Sequence, residues 1–210
     1  MQNDGTIAIV DDNEAVRDSL AALLQSAGHT VKTFKSGQDF LAADLEIFGC
    51  AIVDILMPGL NGLEVLKHVV SSEYALPIII VTGHGDIPLA VKALRAGAVD
   101  FIEKPYTDKA ILTSIELALD IDGGQARGQT SARHIKERAS QLTERERQVF
   151  EHLVSGLSNK GIAAKLGISP RTVEIHRARV MQKIQARNLA ELVRMAVVSK
   201  LDLGIDSAPL

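Results

Sequence analysis

The sequence has a single cysteine, Cys50, so no disulfide can form within the chain. That usage suits a reducing compartment. Cys50 sits inside an apolar run, where burial is expected. Long hydrophobic runs are also lacking. No stretch approaches the roughly 20 apolar residues of a membrane span, and no charged-then-apolar leader starts the chain. The expectation is a soluble, cytoplasmic protein without a membrane partner.

What is present is enough apolar material for a core. The 210 residues are 46% hydrophobic, sufficient for one large domain or two small ones. The net charge of −3 hides an asymmetry. Residues 1–124 carry 8 Lys+Arg against 18 Asp+Glu, and residues 125–210 carry 15 against 8. An acidic half joined to a basic half suggests a regulatory module and a polyanion-binding module.

Residues 6–120 alternate short apolar runs with amphipathic stretches. The runs lie near Ile7–Val10, Thr30–Phe34, Cys50–Asp54, Pro77–Val81 and Val99–Ile102. Helical patterns fall between them: one with Val16, Leu20, Leu23 and Leu24 on a single face and Gly28 as its stop, others near Gly37–Ala43, Leu63–Val70, Ile87–Ala96 and Thr107–Leu119. Five such units predict a parallel sheet covered on both faces, an α/β domain.

The strand ends carry the chemistry. Asp54 closes one apolar run and precedes a turn at Pro58-Gly59; Asp11 and Asp12 close the first run, Thr82 the fourth, and Lys104 follows the fifth. In open α/β sheets this edge is where ligands bind. Three close carboxylates repel and call for a hard cation; Mg²⁺ takes one or two carboxylates and shares phosphate oxygens. An aspartate can attack phosphorus, and Mg²⁺, a lysine and a hydroxyl can hold the equatorial oxygens. Asp54 is therefore the expected nucleophile. Asp11 and Asp12 are the expected metal ligands, Asp11 directly or through water, with Thr82 and Lys104 on phosphoryl oxygens. Any one of these alone reads more simply as a cap, a turn residue or a solvated side chain; five at four strand ends do not.

Val10-Asp11-Asp12, Asp54-Ile55-Leu56-Met57-Pro58-Gly59, Val81-Thr82-Gly83-His84-Gly85 and Glu103-Lys104-Pro105 together resemble the receiver domain of two-component response regulators, over roughly residues 5 to 120. The resemblance implies a flavodoxin-like fold and phosphorylation of Asp54 by a sensor histidine kinase. It implies that Mg²⁺ is held by Asp11, Asp12, Asp54 and the backbone carbonyl of Leu56, with no separate enzymatic output. It also implies a cis Lys104–Pro105 bond, a minority outcome from sequence alone. Phe101 reads either as a static core ring or as a ring that turns inward when Thr82 is drawn to the phosphoryl group. Gly83 leaves room for that group.

Residues 121–130 contain Gly123, Gly124 and Gly128 and lack an apolar face, so they read as linker. A short helix is open over Ala132–Ala139. The expected division is residues 1–120, a linker over 121–140, and an all-α domain over 141–210. Thr143-Glu144-Arg145-Glu146 and Asn188-Leu189-Ala190-Glu191 are capping boxes. Ser158 starts a helix closed by Gly167, and Ser169-Pro170 starts the next. The middle pair of the four helices, joined by Gly167-Ile168-Ser169, has helix-turn-helix spacing. Such a pair lays its second helix in the DNA major groove. That helix offers Arg171, Thr172, Glu174, His176, Arg177, Arg179 and Lys183, with Asn159 and Lys160 on the first. Val173, Ile175, Val180 and Ile184 are expected to face the core, and Arg177 to lie opposite Val173 and Val180. Phosphate contacts would come from the basic groups, base contacts from Thr172, Glu174, His176 and Arg177. A basic solvated face unrelated to nucleic acid is the plainer alternative.

Leu142-Thr143-Glu144-Arg145-Glu146, Gly156-Leu157-Ser158-Asn159-Lys160 and Ile168-Ser169-Pro170-Arg171-Thr172-Val173-Glu174-Ile175-His176-Arg177 look like the LuxR-type output domain. Its pairing with a receiver resembles the NarL/FixJ subfamily, the FixJ branch most. Gly161 departs from many LuxR-type domains, which carry Glu there. The resemblance implies a phosphorylation-dependent homodimer, double-stranded promoter DNA and RNA polymerase as partners. Leu89, Val91, Lys92, Arg95 and Asp100 are the expected dimerisation face. Two rivals are a phosphorelay module whose bundle binds protein, and an enzyme acting on small phosphate esters through Asp54.

Overall fold

The computed structural model describes residues 5–72, 76–83, 87–119 and 134–199. The chain divides into two units, each with its own packing. The expected linker, residues 121–130, lies outside the described residues, as do His84, Gly85 and Asp86 of the fourth strand-end motif.

The first unit contains one parallel sheet of β1 (Thr6–Val10), β2 (Val31–Phe34), β3 (Phe48–Asp54), β4 (Ile78–Thr82) and β5 (Asp100–Glu103), in the order β2-β1-β3-β4-β5. This is the flavodoxin-like order, with its switch point between β1 and β3. The strands are where the apolar runs placed them. β1, β3 and β4 are buried almost throughout, which explains their continuous rather than alternating hydrophobicity. The helices between and after the strands are α1 (Glu14–Ser26), α2 (Gly37–Leu41), α3 (Gly62–Ser71), α4 (Ile87–Arg95) and α5 (Asp108–Leu119); α4 is grouped with the second unit and the others with the first. A 3₁₀ turn over Leu45–Ile47, capped by Asp44, has no counterpart in the sequence pattern.

Local signals fix the helix starts that border the site. Asn13 caps α1 by accepting from Ala15 N and Val16 N. Asn61 and Glu64 form a capping box on α3. One face of the sheet packs Ile7, Ile9, Ile52, Ile79 and Val81 against Leu20 and Leu24 of α1 and Ile111 and Ile115 of α5. Cys50 belongs to this cluster, and burial pushes its thiol up to about 12.

The second unit is all-helical among its described residues: besides α4 it holds α6 (134–139), α7 (Glu144–Val154), α8 (Asn159–Leu166), α9 (Pro170–Ile184) and α10 (Leu189–Val198). Its core is Val149, Phe150, Leu153, Ile162, Val173, Val180, Ile184 and Leu192. Ala139 and Leu142 pack into the same core, so the output fold begins before residue 141. Among the described residues no helix is long and apolar enough to cross a membrane.

Candidate functional site

Adjacency of β1, β3, β4 and β5 brings four strand ends to one edge. Asp11 follows β1 directly and is buried; its Oδ1 accepts from Asn13 N at 2.9 Å, and its carbonyl accepts from Arg17 Nη1 at 2.7 Å. Asp54, the last residue of β3, is only 6% exposed. Thr82 ends β4 and is fully buried, and its carbonyl accepts from Lys104 N at 2.8 Å. The Lys104 ammonium donates to Asp11 Oδ2 at 2.7 Å and to Asp54 Oδ1 at 2.8 Å. Asp54 Oδ2 accepts from Leu56 N at 2.8 Å. Both oxygens of the expected nucleophile are thus held by donors from this chain. The Lys104–Pro105 bond is cis.

The electrostatics follow from burial. Desolvation raises the Asp54 carboxyl above its ordinary range; the Lys104 ammonium and Leu56 N–H offset part of this, while Asp11 adds to it. Burial alone would lower the Lys104 ammonium, but its hydrogen bonds to Asp11 and Asp54 outweigh that and raise it. Burial also raises the Tyr106 phenol, on which Lys104, Asp11 and Asp54 all act.

One ammonium faces two buried carboxylates, so the pair keeps an excess negative charge. Asp12, beside them in sequence, is exposed. Among the described residues no three His, Cys, Asp or Glu side chains converge as a ready metal cage. Two buried carboxylates nonetheless fit Mg²⁺. That ion binds oxygen only, uses one or two carboxylates and keeps much of its water.

Nothing local in the sequence marks Gly62 as special. A β-carbon there would collide with the Asp54 carbonyl and approach Ile55 Cα within 2.9 Å, so α3 starts flush against the end of β3. Gly83 has nothing described within 4 Å of its would-be β-carbon, which fits the expected room beside Thr82. Phe101 is half-buried on β5. Of the expected dimerisation residues, Lys92 and Arg95 are exposed, Leu89 is half-buried and Val91 is buried. Both Asp100 oxygens are engaged within the unit, Oδ1 by Phe101 N at 2.8 Å and Oδ2 by Ser114 Oγ at 2.5 Å.

In the second unit the turn Gly167–Ser169 joins α8 to α9. Gly167 adopts the left-handed region, φ +64°, that ends α8. Ser169 Oγ accepts from Thr172 N at 3.1 Å, and Pro170 occupies the first turn of α9. Val173, Val180 and Ile184 are buried as expected. Ile175 is not; it is 46% exposed. Residues 173 and 180 are seven apart and share one face, whereas 175 is about 200° from 173 at 3.6 residues per turn. The same arithmetic corrects Arg177. It lies four residues after Val173 and three before Val180, on their flank and not opposite them, and it is half-buried.

The solvent face of α9 is instead Arg171, Glu174, Ile175, Ala178, Arg179 and Gln182. Thr172 and His176 are half-buried, and Lys160 is exposed on α8. Asn159 Oδ1 and His176 Nδ1 are buried without a hydrogen-bond partner. Lys183 is committed elsewhere: its ammonium donates to Glu146 Oε2 at 2.6 Å and to the Gln141 carbonyl at 3.2 Å.

Comparison with known proteins agrees with both units. Residues 7–116 match the response regulator receiver domain, and residues 140–196 match the bacterial regulatory proteins of the luxR family. The transcriptional regulatory protein FixJ of Bradyrhizobium diazoefficiens is 48% identical over 94% of this chain and 97% of its own. That of Rhizobium meliloti is 47% identical over 92% and 96%. The C4-dicarboxylate transport transcriptional regulatory protein DctR of Rhodobacter capsulatus is 42% identical over 90% and 98%. Full-length FixJ from B. japonicum is a structural match with TM-score 0.53 and 47% identity, over 93% of this chain and 97% of that one. Strand-end acids bridged by a lysine, and a capped helix-turn-helix, thus meet in a chain that belongs to the FixJ-like two-component response regulators, with a receiver and a LuxR-type DNA-binding domain.

Proposed function

We propose that a sensor histidine kinase phosphorylates Asp54, and that the modified receiver dimerises and promotes promoter binding to activate transcription. The observation that supports this most is the Lys104 ammonium bonded to both Asp11 and Asp54. In the transfer, an Asp54 carboxylate oxygen forms the new P–O bond as the P–N bond of phosphohistidine breaks. The imidazole nitrogen leaves with the electron pair. Asp11, Asp12, Asp54 and the Leu56 carbonyl would hold Mg²⁺, which neutralises charge on the transferring group. Lys104 and the Thr82 hydroxyl would take phosphoryl oxygens. Loss of the Lys104–Asp54 bond to an incoming phosphoryl oxygen would couple modification to Thr82 and Phe101, which flank it on β4 and β5. Lys92 and Arg95, exposed on α4, support a dimerisation face that includes Leu89, Val91 and Asp100.

For the output unit we propose that α9 enters the major groove of promoter DNA, where RNA polymerase is then engaged. Its exposed face sets an apolar side chain, Ile175, between Arg171, Glu174 and Arg179. Ile175 suits a thymine methyl, and Arg171 and Arg179 suit guanine edges or phosphates.

Asp54→Asn tests the reading. Intact mass after acetyl phosphate and Mg²⁺ is expected to show one phosphoryl group on the wild type and none on the variant. The folded state raises the Asp54 pKa, so its ionised form costs stability at neutral pH. The neutral variant is therefore expected to melt no lower than the wild type. An unchanged mass gain in the variant overturns the assignment.

A further inference from the structure

Two consecutive residues at the start of α7 hold the C-terminal ends of the two helix-turn-helix elements. Arg145 Nη2 donates to the Leu166 carbonyl, the last residue of α8, at 2.8 Å. Glu146 accepts from Lys183, in the last turn of α9, at 2.6 Å, while Lys183 also donates to the Gln141 carbonyl. The Glu146 side chain is 4% exposed and that of Lys183 34%, so the pair is shielded from salt. Glu146 completes the α7 capping box through Thr143 N at 2.9 Å, so its carboxylate cannot swing away freely. A cation on the C-terminal carbonyl of α8 also complements the helix dipole there.

We propose that Arg145 and the Glu146–Lys183 pair form a clasp that fixes the angle between α8 and α9, making them positioning residues for sequence reading and Lys183 an internal anchor, not a phosphate contact. The inference rests on α9 being the groove helix. A small rotation of α9 displaces base-edge contacts, which need bidentate geometry, more than phosphate contacts. Loosening the clasp therefore costs preference before it costs general affinity.

The test uses the full chain with beryllofluoride present throughout. A preferred duplex is first selected from a random library with the wild type. Wild type, Arg145→Ala, Arg145→Lys and Lys183→Gln are then titrated on the selected and scrambled duplexes across a salt series, each with a thermal melt. Arg145→Ala and Lys183→Gln are expected to lose about tenfold on the selected duplex, little on the scrambled one, and to keep the wild-type salt slope. Arg145→Lys, still able to donate to the Leu166 carbonyl, is expected to recover most of the loss. Lys183→Gln leaves a buried carboxylate unpaired; where it does not fold, Glu146→Gln/Lys183→Gln makes the same comparison without that charge. A slope reduced by about one in the Lys183 variants makes Lys183 a phosphate contact and overturns the inference. So do equal losses on both duplexes, or an unchanged preference in folded variants. A wild type with no preference for any duplex removes the groove reading itself.

Discussion

At the residue scale, single side chains do more than their type announces. Gly62 reads as an ordinary helix start, yet any β-carbon there would strike the Asp54 carbonyl. Gly62→Ala is expected to destabilise the receiver by about 1–3 kcal/mol, as overpacking against backbone does. It is also expected to slow phosphorylation by acetyl phosphate, because the end of β3 must shift. A melt and a phosphorylation rate equal to wild type would show that α3 recoils freely. Glu146 is a second case. Its carboxyl is held down to about 2, first by the Lys183 hydrogen bond and then by Thr143 N. The folded pKa lies below the ordinary 4.5, so this group's contribution to stability is complete above about 4.5 and lost as pH falls toward 2. Melts of the wild type are expected to drop across that window by more than those of Glu146→Gln, in which nothing titrates at that position. Parallel curves would mean that the pair does not stabilise the fold.

At the scale of elements, the sequence pattern specifies structure where period and capping agree. Thr143, Ser158, Ser169 and Asn188 each cap the helix they announce. The five strands follow the apolar runs because each lies in a covered parallel sheet. Two side chains depart from the pattern. Ile175 has the chemistry of a core residue, but its angular position puts it outside, and Arg177, a basic residue expected outward, flanks the buried stripe. The strand-end cluster is legible because each of its residues closes or follows an apolar run. The Glu146–Lys183 tie is not, because its partners are 37 residues apart and nothing local marks them. α8 offers an element-scale prediction. Gly161 sits three residues after the Ser158 cap, and a β-carbon there would meet only ordinary contacts at 3.6–3.7 Å. Gly161→Ala is expected to stabilise the output unit by about 0.5–1 kcal/mol through helix propensity and unfolded-state entropy. An unchanged or lowered denaturation midpoint rejects that account.

At the scale of the whole molecule, charge and valency bear on how activation would reach DNA. Residues 1–124 have 10 more acidic than basic residues, and residues 125–210 have 7 more basic than acidic. One output unit can neutralise only a few phosphates, so its affinity alone is weak and its salt slope modest. If phosphorylation pairs two receivers, two output units are tethered together. The second half-site is then engaged at a high effective concentration, without any new contact. Binding to a duplex with two inverted half-sites about one helical turn apart is therefore expected to tighten at least tenfold with beryllofluoride, while binding to one half-site changes little. Light scattering on the same samples is expected to show a dimer only with the analogue. Equal tightening on both duplexes would mean that activation acts inside one chain, by freeing or reshaping its α9. Tightening on two half-sites without a change in mass would place the pairing on the DNA itself, and would remove the receiver face around Lys92 and Arg95 from the mechanism.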